Sequence, residues 1–230
     1  MKDILSNSMF FGVLVSILAY EVGVLLKKKF KFALLNPLLI SIVIIILILV
    51  GFHIDYDTYN DGAQLLSYLL TPATVCLAIP LYEQMELLKK NWKAIIGGIV
   101  AGGLTGAVCI LVLCLIFRLE HDMYVTLLPK SITTAIGMGV SEELNGIVTI
   151  TVAVIIITGV VGNVLADFVY KLFHVTHPVA KGVGLGTSAH AIGTAKALEM
   201  GEIEGAMGGL SIAVAGILTV IVAPIFSHII

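Results

Sequence analysis

The sequence predicts an all-α integral membrane protein, transporter-like in plan, with about seven or eight transmembrane segments, several of them broken or re-entrant. Three observations lead there. Of 230 residues, 59% are hydrophobic and 12% charged, roughly half the ~25% charge of a soluble domain, and the mean hydropathy is +1.09. Apolar runs of about 20 residues, enough to cross a bilayer, recur along the chain. Several of these runs are interrupted by glycine, proline and hydroxyl residues, which are costly at membrane depth unless paired or wetted.

The bilayer is therefore the first partner, and the net charge of −2 gives no nucleic-acid signature. Cys76, Cys109 and Cys114 lie in apolar stretches without metal spacing, so packing is their expected role.

The first helix is expected at about 5–26. It is too long for a signal-peptide core and is followed by Lys27, Lys28, Lys29 and Lys31, so it reads as a retained span. A second helix is expected at about 33–52, then a polar, Asp-bearing loop over 53–62. Segment 3, about 64–88, contains Pro72 and Pro80 and should not be one ideal helix. Helix 4, about 92–117, carries Gly98, Gly102 and Gly106 in GxxxG relation, which permits close helix approach. Segment 5 follows at about 123–143, helix 6 at 147–172, segment 7 at 182–199 and helix 8 at 203–227. The lysine clusters at 27–31 and 89–93 should both be cytoplasmic, two crossings apart.

An internal echo runs through the chain. Setting Pro72 over Pro129 places Ala78-Ile79 on Ala135-Ile136, and Glu86 on Glu143. Ala191-Ile192-Gly193 falls under Ala135-Ile136-Gly137 in turn. The single domain of residues 1–230 is thus expected to contain repeat-like units at about 64–120, 121–176 and 177–230. Interrupted apolar segments at matching positions of a repeat point to a midplane site.

Segment 5 places Lys130, Ser131, Thr133 and Thr134 just after Pro129. With Pro129 in a first helical turn, Lys130 and Thr134 would share a face, and ammonium, hydroxyls and free N–H groups would form a carboxylate receptor. A snorkelling lysine is the alternative. In segment 7, Gly182, Gly184 and Gly186 suggest an unwound stretch. Beyond it Thr187, Ser188, His190, Gly193 and Thr194 combine hydroxyls, a titratable ring and small residues. A packed core histidine is the alternative to an anion donor or proton carrier. Asn36, Asn163, Asp167, Lys196 and Glu204 are candidates for supporting or coupling roles, although Glu204 and its acidic neighbours equally suit helix ends. The chain has no HExxH, Walker loop or GxSxG, so neither enzymatic activity, catalytic residues, a cofactor nor a metal is expected.

With Leu128-Pro129-Lys130-Ser131-Ile132-Thr133-Thr134, Gly184 to Ala197, Glu204-Gly205-Ala206 and Asn36-Pro37-Leu38-Leu39, the sequence resembles the LrgB/CidB family over essentially its whole length. That family usually has proline where Ala135 stands, an acid near Gly139, and Ala-Ser-His where this chain has Ser188-Ala189-His190. The resemblance implies a multi-pass protein of the bacterial plasma membrane, with two descriptions of its work. One is transport of small monocarboxylates such as pyruvate, glycolate or glycerate. The other is antiholin-like regulation of murein hydrolase export and cell lysis with a small holin-like LrgA/CidA partner. The residues themselves favour transport of an organic acid anion between segments 5 and 7; a homo-oligomer is also expected, although no residue specifies it.

Overall fold

The computed structural model describes residues 10–30, 37–76 and 78–230. Asn36, a candidate supporting residue, lies outside them. Among the described residues the secondary structure is helical throughout, in keeping with an apolar chain that must satisfy its backbone internally. Among the described residues, three helices are long and apolar enough to cross a membrane: Met85–Phe117, Val148–Leu172 and Glu202–Ser227. Pro37–Phe52 is a shorter apolar helix.

The chain divides into two compact units, Met1–Cys76 and Leu77–Ile230. The first contains α1 (Phe11–Phe30), α2 (Pro37–Phe52), α3 (Tyr56–Gly62) and α4 (Gln64–Cys76). Gly23 lets α1 approach the Pro37 backbone, where a Cβ would stand 2.6 Å from the Pro37 carbonyl oxygen. Ser16 and Tyr59 hydroxyls share a 2.7 Å hydrogen bond between α1 and α3. The Asp-bearing stretch expected as a loop is thus largely a short helix, with Asp57 in its first turn, where the helix dipole favours an acid. Pro72 lies inside α4 without ending it.

The second unit contains α5 (Ala78–Glu83), α6 (Met85–Phe117), α7 (His121–Leu127), α8 (Thr134–Glu143), α9 (Val148–Leu172), α10 (Pro178–Met200) and α11 (Glu202–Ser227). Segment 3 is interrupted at Gln84, whereas Pro72 and Pro80 themselves lie inside α4 and α5. Helix 4 begins seven positions earlier than expected, at Met85, so Lys89, Lys90 and Lys93 are helical. Lysine is a good helix former and can extend its ammonium to water from a helical backbone.

Glycines set the packing around α10. On α6, a Cβ at Gly98 would meet Val183 and one at Gly102 would meet Thr187 at 2.8 Å, so the expected GxxxG face lies against α10. On α10, a Cβ at Gly182 or Gly186 would run into the carbonyls of Glu204 and Gly208 on α11. Alternate glycines expected to unwind the chain instead remain helical and bring two backbones together.

Candidate functional site

Two interruptions of helix define the site. The first separates α7 from α8. Residues 128–133 form turns and a bend, and Thr133 takes an extended conformation as the N-cap of α8. Pro129 therefore belongs to the break and not to a first helical turn. Lys130 and Thr134 consequently do not share a helix face, which corrects the expected i,i+4 pairing. Proline disfavours helical geometry in the residue before it and lacks the N–H that would continue α7. Lys130 is half-buried, and its Nζ donates to Ser131 Oγ at 3.0 Å. Thr133 and Thr134 are half-buried at the α8 N-terminus, and no side chain caps it.

The break is clamped from behind. Thr126 Oγ1 accepts from the Ile147 N–H at 2.7 Å, and the Thr151 hydroxyl lies 2.9 Å from the Thr126 carbonyl and 2.7 Å from Ser141 Oγ. Tyr124 donates to the Phe226 carbonyl at 2.9 Å. These fully buried polar residues join α7, α8, α9 and α11. Sequence reasoning missed them; Thr126 and Thr151, each flanked by apolar residues on both sides, were the available signal.

The second interruption lies inside α10, at Ala189 (φ −129°, ψ 17°) and His190 (φ 43°, ψ −136°). A non-glycine residue in such a conformation costs about 1–3 kcal/mol and persists only where its surroundings enforce it. Here His190, 3% exposed, is held by a 2.9 Å hydrogen bond between Nε2 and the Ile155 carbonyl on α9. That geometry requires the proton on Nε2. Gly159 makes room for the ring, since a Cβ there would lie 2.7 Å from it. Asn163 donates from Nδ2 to the Ile192 carbonyl at 3.1 Å, a partner for a backbone group just past the break. Gly193 allows the chain to fold back, because a Cβ would stand 2.5 Å from the Leu185 carbonyl.

Among the described residues, two buried hydroxyls, Thr187 Oγ1 and Thr194 Oγ1, have no hydrogen-bond partner, one on each side of the break. An unsatisfied buried hydroxyl costs about 1–3 kcal/mol, and these two flank one distorted residue. Thr187 lines a cavity of about 30 Å³ together with Ser131 from the first break, beneath Gly102, Gly103 and Gly106 of α6. The two interruptions therefore meet. That volume holds about two waters, so a carboxylate requires the helices to part.

The remaining candidates separate from this centre. Ser188 is exposed and donates to the Gly184 carbonyl at 2.7 Å; one step beyond Thr187 it lies ~100° around the helix and leaves the site. Lys196 pairs with Asp167 at 2.9 Å and approaches Glu199 at 3.9 Å, a staple between α9 and α10. Glu204 is buried in the first turn of α11, whereas Glu142, Glu143, Glu199 and Glu202 are exposed. Among the described residues no His, Cys, Asp and Glu group is arranged to hold a metal. Cys114 is buried, and Cys76 and Cys109 are exposed free thiols.

Long apolar helices around paired helix breaks define an integral membrane protein with buried polar groups at its centre. The LrgB-like family model matches residues 16–229. Proteins called antiholin-like protein LrgB from Bacillus mycoides (strain KBAB4), Bacillus cereus (strain B4264) and Bacillus anthracis (strain CDC 684 / NRRL 3495) are each 39% identical to this chain over 218 residues, covering 94% of it and 95% of theirs. The chain belongs to the LrgB-like family and is a bacterial membrane protein. No solved structure matches it.

Proposed function

We propose that this protein acts in the bacterial membrane as an antiholin-like regulator, working with a small holin-like LrgA/CidA-type partner to restrain murein hydrolase export and cell lysis. The observation that carries this reading is the name shared by relatives that match nearly the whole chain. It supports regulation better than transport. Deleting the gene from its host should speed detergent-triggered autolysis several-fold, and restoring it should slow lysis again. Unchanged lysis in the deletion strain would exclude the role.

A second reading, transport of a small monocarboxylate, is favoured by a specific observation: Ser131 and the unmatched Thr187 line one cavity between two helix breaks. A regulator acting only through its outer surface has no need of unsatisfied hydroxyls at its centre. Here Lys130 supplies charge, and Ser131, Thr133, Thr134, Thr187 and Thr194 supply hydrogen bonds to the carboxylate. His190 holds the break open through Ile155. The sequence order also fits a threefold plan, in which an interrupted segment precedes each of α6, α9 and α11. On that plan the chain carries repeat-like units at about 64–120, 121–176 and 177–230, crosses the membrane seven or eight times and works as a homo-oligomer without catalysing a reaction. Uptake of labelled pyruvate and glycolate into proteoliposomes tests it. Saturable uptake supports a carrier; linear, non-saturating leakage would rule one out.

A further inference from the structure

A second, larger cavity opens where α9 ends and α10 meets α11. Its volume is about 490 Å³, within the range of small-ligand sites, and Asp167, Lys171, His174, Lys181 and Glu204 line it. Lys171 stands in the last turn of the apolar helix Val148–Leu172. A lysine there marks the membrane–water boundary.

The charges divide into used and unused groups. Asp167 is occupied by Lys196 at 2.9 Å. Tyr170 donates to the Lys181 carbonyl at 2.6 Å, which fixes the start of α10 at the cavity wall. Lys171 and Lys181 make no ion pair among the described residues and stand exposed and half-exposed, respectively. Glu204 is different. It is 9% exposed, it makes no hydrogen bond or ion pair among the described residues, and it faces the cavity. A buried, unpaired charge costs several kcal/mol unless a counter-charge reaches it, and Lys196 is already paired with Asp167.

One cavity thus offers a buried anion with no partner and two cations on its rim. A lone anion would satisfy the lysines and leave Glu204 unmatched; a lone cation would do the reverse. We propose that this cavity binds a zwitterionic head bearing an N–H ammonium and a phosphate, presented by a membrane lipid. The ammonium lies on Glu204 and the phosphate between Lys171 and Lys181. Phosphatidylethanolamine has this chemistry, and a lipid is the source because the cavity opens beside the end of a membrane-spanning helix. A trimethylated choline head lacks the N–H donors that a buried carboxylate demands, and a glycerol head lacks the cation.

Native mass spectrometry of the full chain in detergent, titrated in turn with phosphatidylethanolamine, phosphatidylcholine and phosphatidylglycerol, tests the assignment. Phosphatidylethanolamine should be retained about tenfold better than either competitor. Glu204→Gln should abolish that preference. Lys171→Ala with Lys181→Ala should weaken retention of phosphatidylethanolamine while leaving the folded protein intact by size-exclusion chromatography, so the result stands even if the buried substitution fails to fold. Equal retention of all three lipids, or undiminished retention of phosphatidylethanolamine in the lysine double variant, would overturn the proposal. Full displacement of the lipid by equimolar soluble glycerophosphoethanolamine would overturn the lipid as source. The outcome is independent of whether the central cavity serves regulation or transport.

Discussion

The two helix breaks solve the same physical problem in opposite ways. Residues 128–133 leave the helix for a full turn-and-bend, with Pro129 supplying the cause and Lys130 the charge. The break in α10 is confined to Ala189 and His190, and has no proline or glycine at the distorted residue. It exists because α9 enforces it, through the Ile155 carbonyl, the space at Gly159 and the Asn163 amide. The first break is written into the local sequence and the second into tertiary contact. On the transport reading, the first brings the cation and the second the unmatched hydroxyls, and an anion needs both.

That contrast can be broken at either end. The largest effect is expected at Lys130. On the transport reading, Lys130→Ala should lower carboxylate uptake by up to about 100-fold, the worth of one charge-assisted contact, with thermal stability nearly unchanged. Next comes the support of the second break. Gly159→Leu forces a side chain into the His190 ring and should destabilise the protein by about 2–3 kcal/mol in a thermal melt in detergent. At His190 itself, glycine should be better tolerated than alanine by about 1 kcal/mol, because the left-handed φ of 43° suits glycine. If alanine proves equal or better, the distortion is not a source of strain. The smallest effect should be at Thr194, where Thr194→Val removes a buried hydroxyl with no partner among the described residues and should raise stability by about 1 kcal/mol.

This same division explains what the sequence made legible. The apolar helices and the small-residue face at Gly98 and Gly102 follow from composition and spacing, which are local. The position of the second break does not. Gly182, Gly184 and Gly186 carry the local signature of flexibility, yet close backbone contact with α11 keeps that stretch helical. His190 carries no such signature and is where the helix gives way. Ser188 illustrates the same limit: adjacent to Thr187 in sequence, it points elsewhere because a helix turns between neighbours. The Thr126–Ser141–Thr151 cluster was equally hidden, since its meaning depends on three helices meeting.

The claim that both breaks form one site is tested most directly by a double-mutant cycle on saturable carboxylate uptake, using Ser131→Ala, Thr187→Val and the pair. Two hydroxyls that face the same small cavity should be coupled, and the double variant should depart from additivity by at least about 0.5 kcal/mol in the apparent binding of pyruvate or glycolate. Strict additivity, or no effect of either substitution, would contradict a shared site.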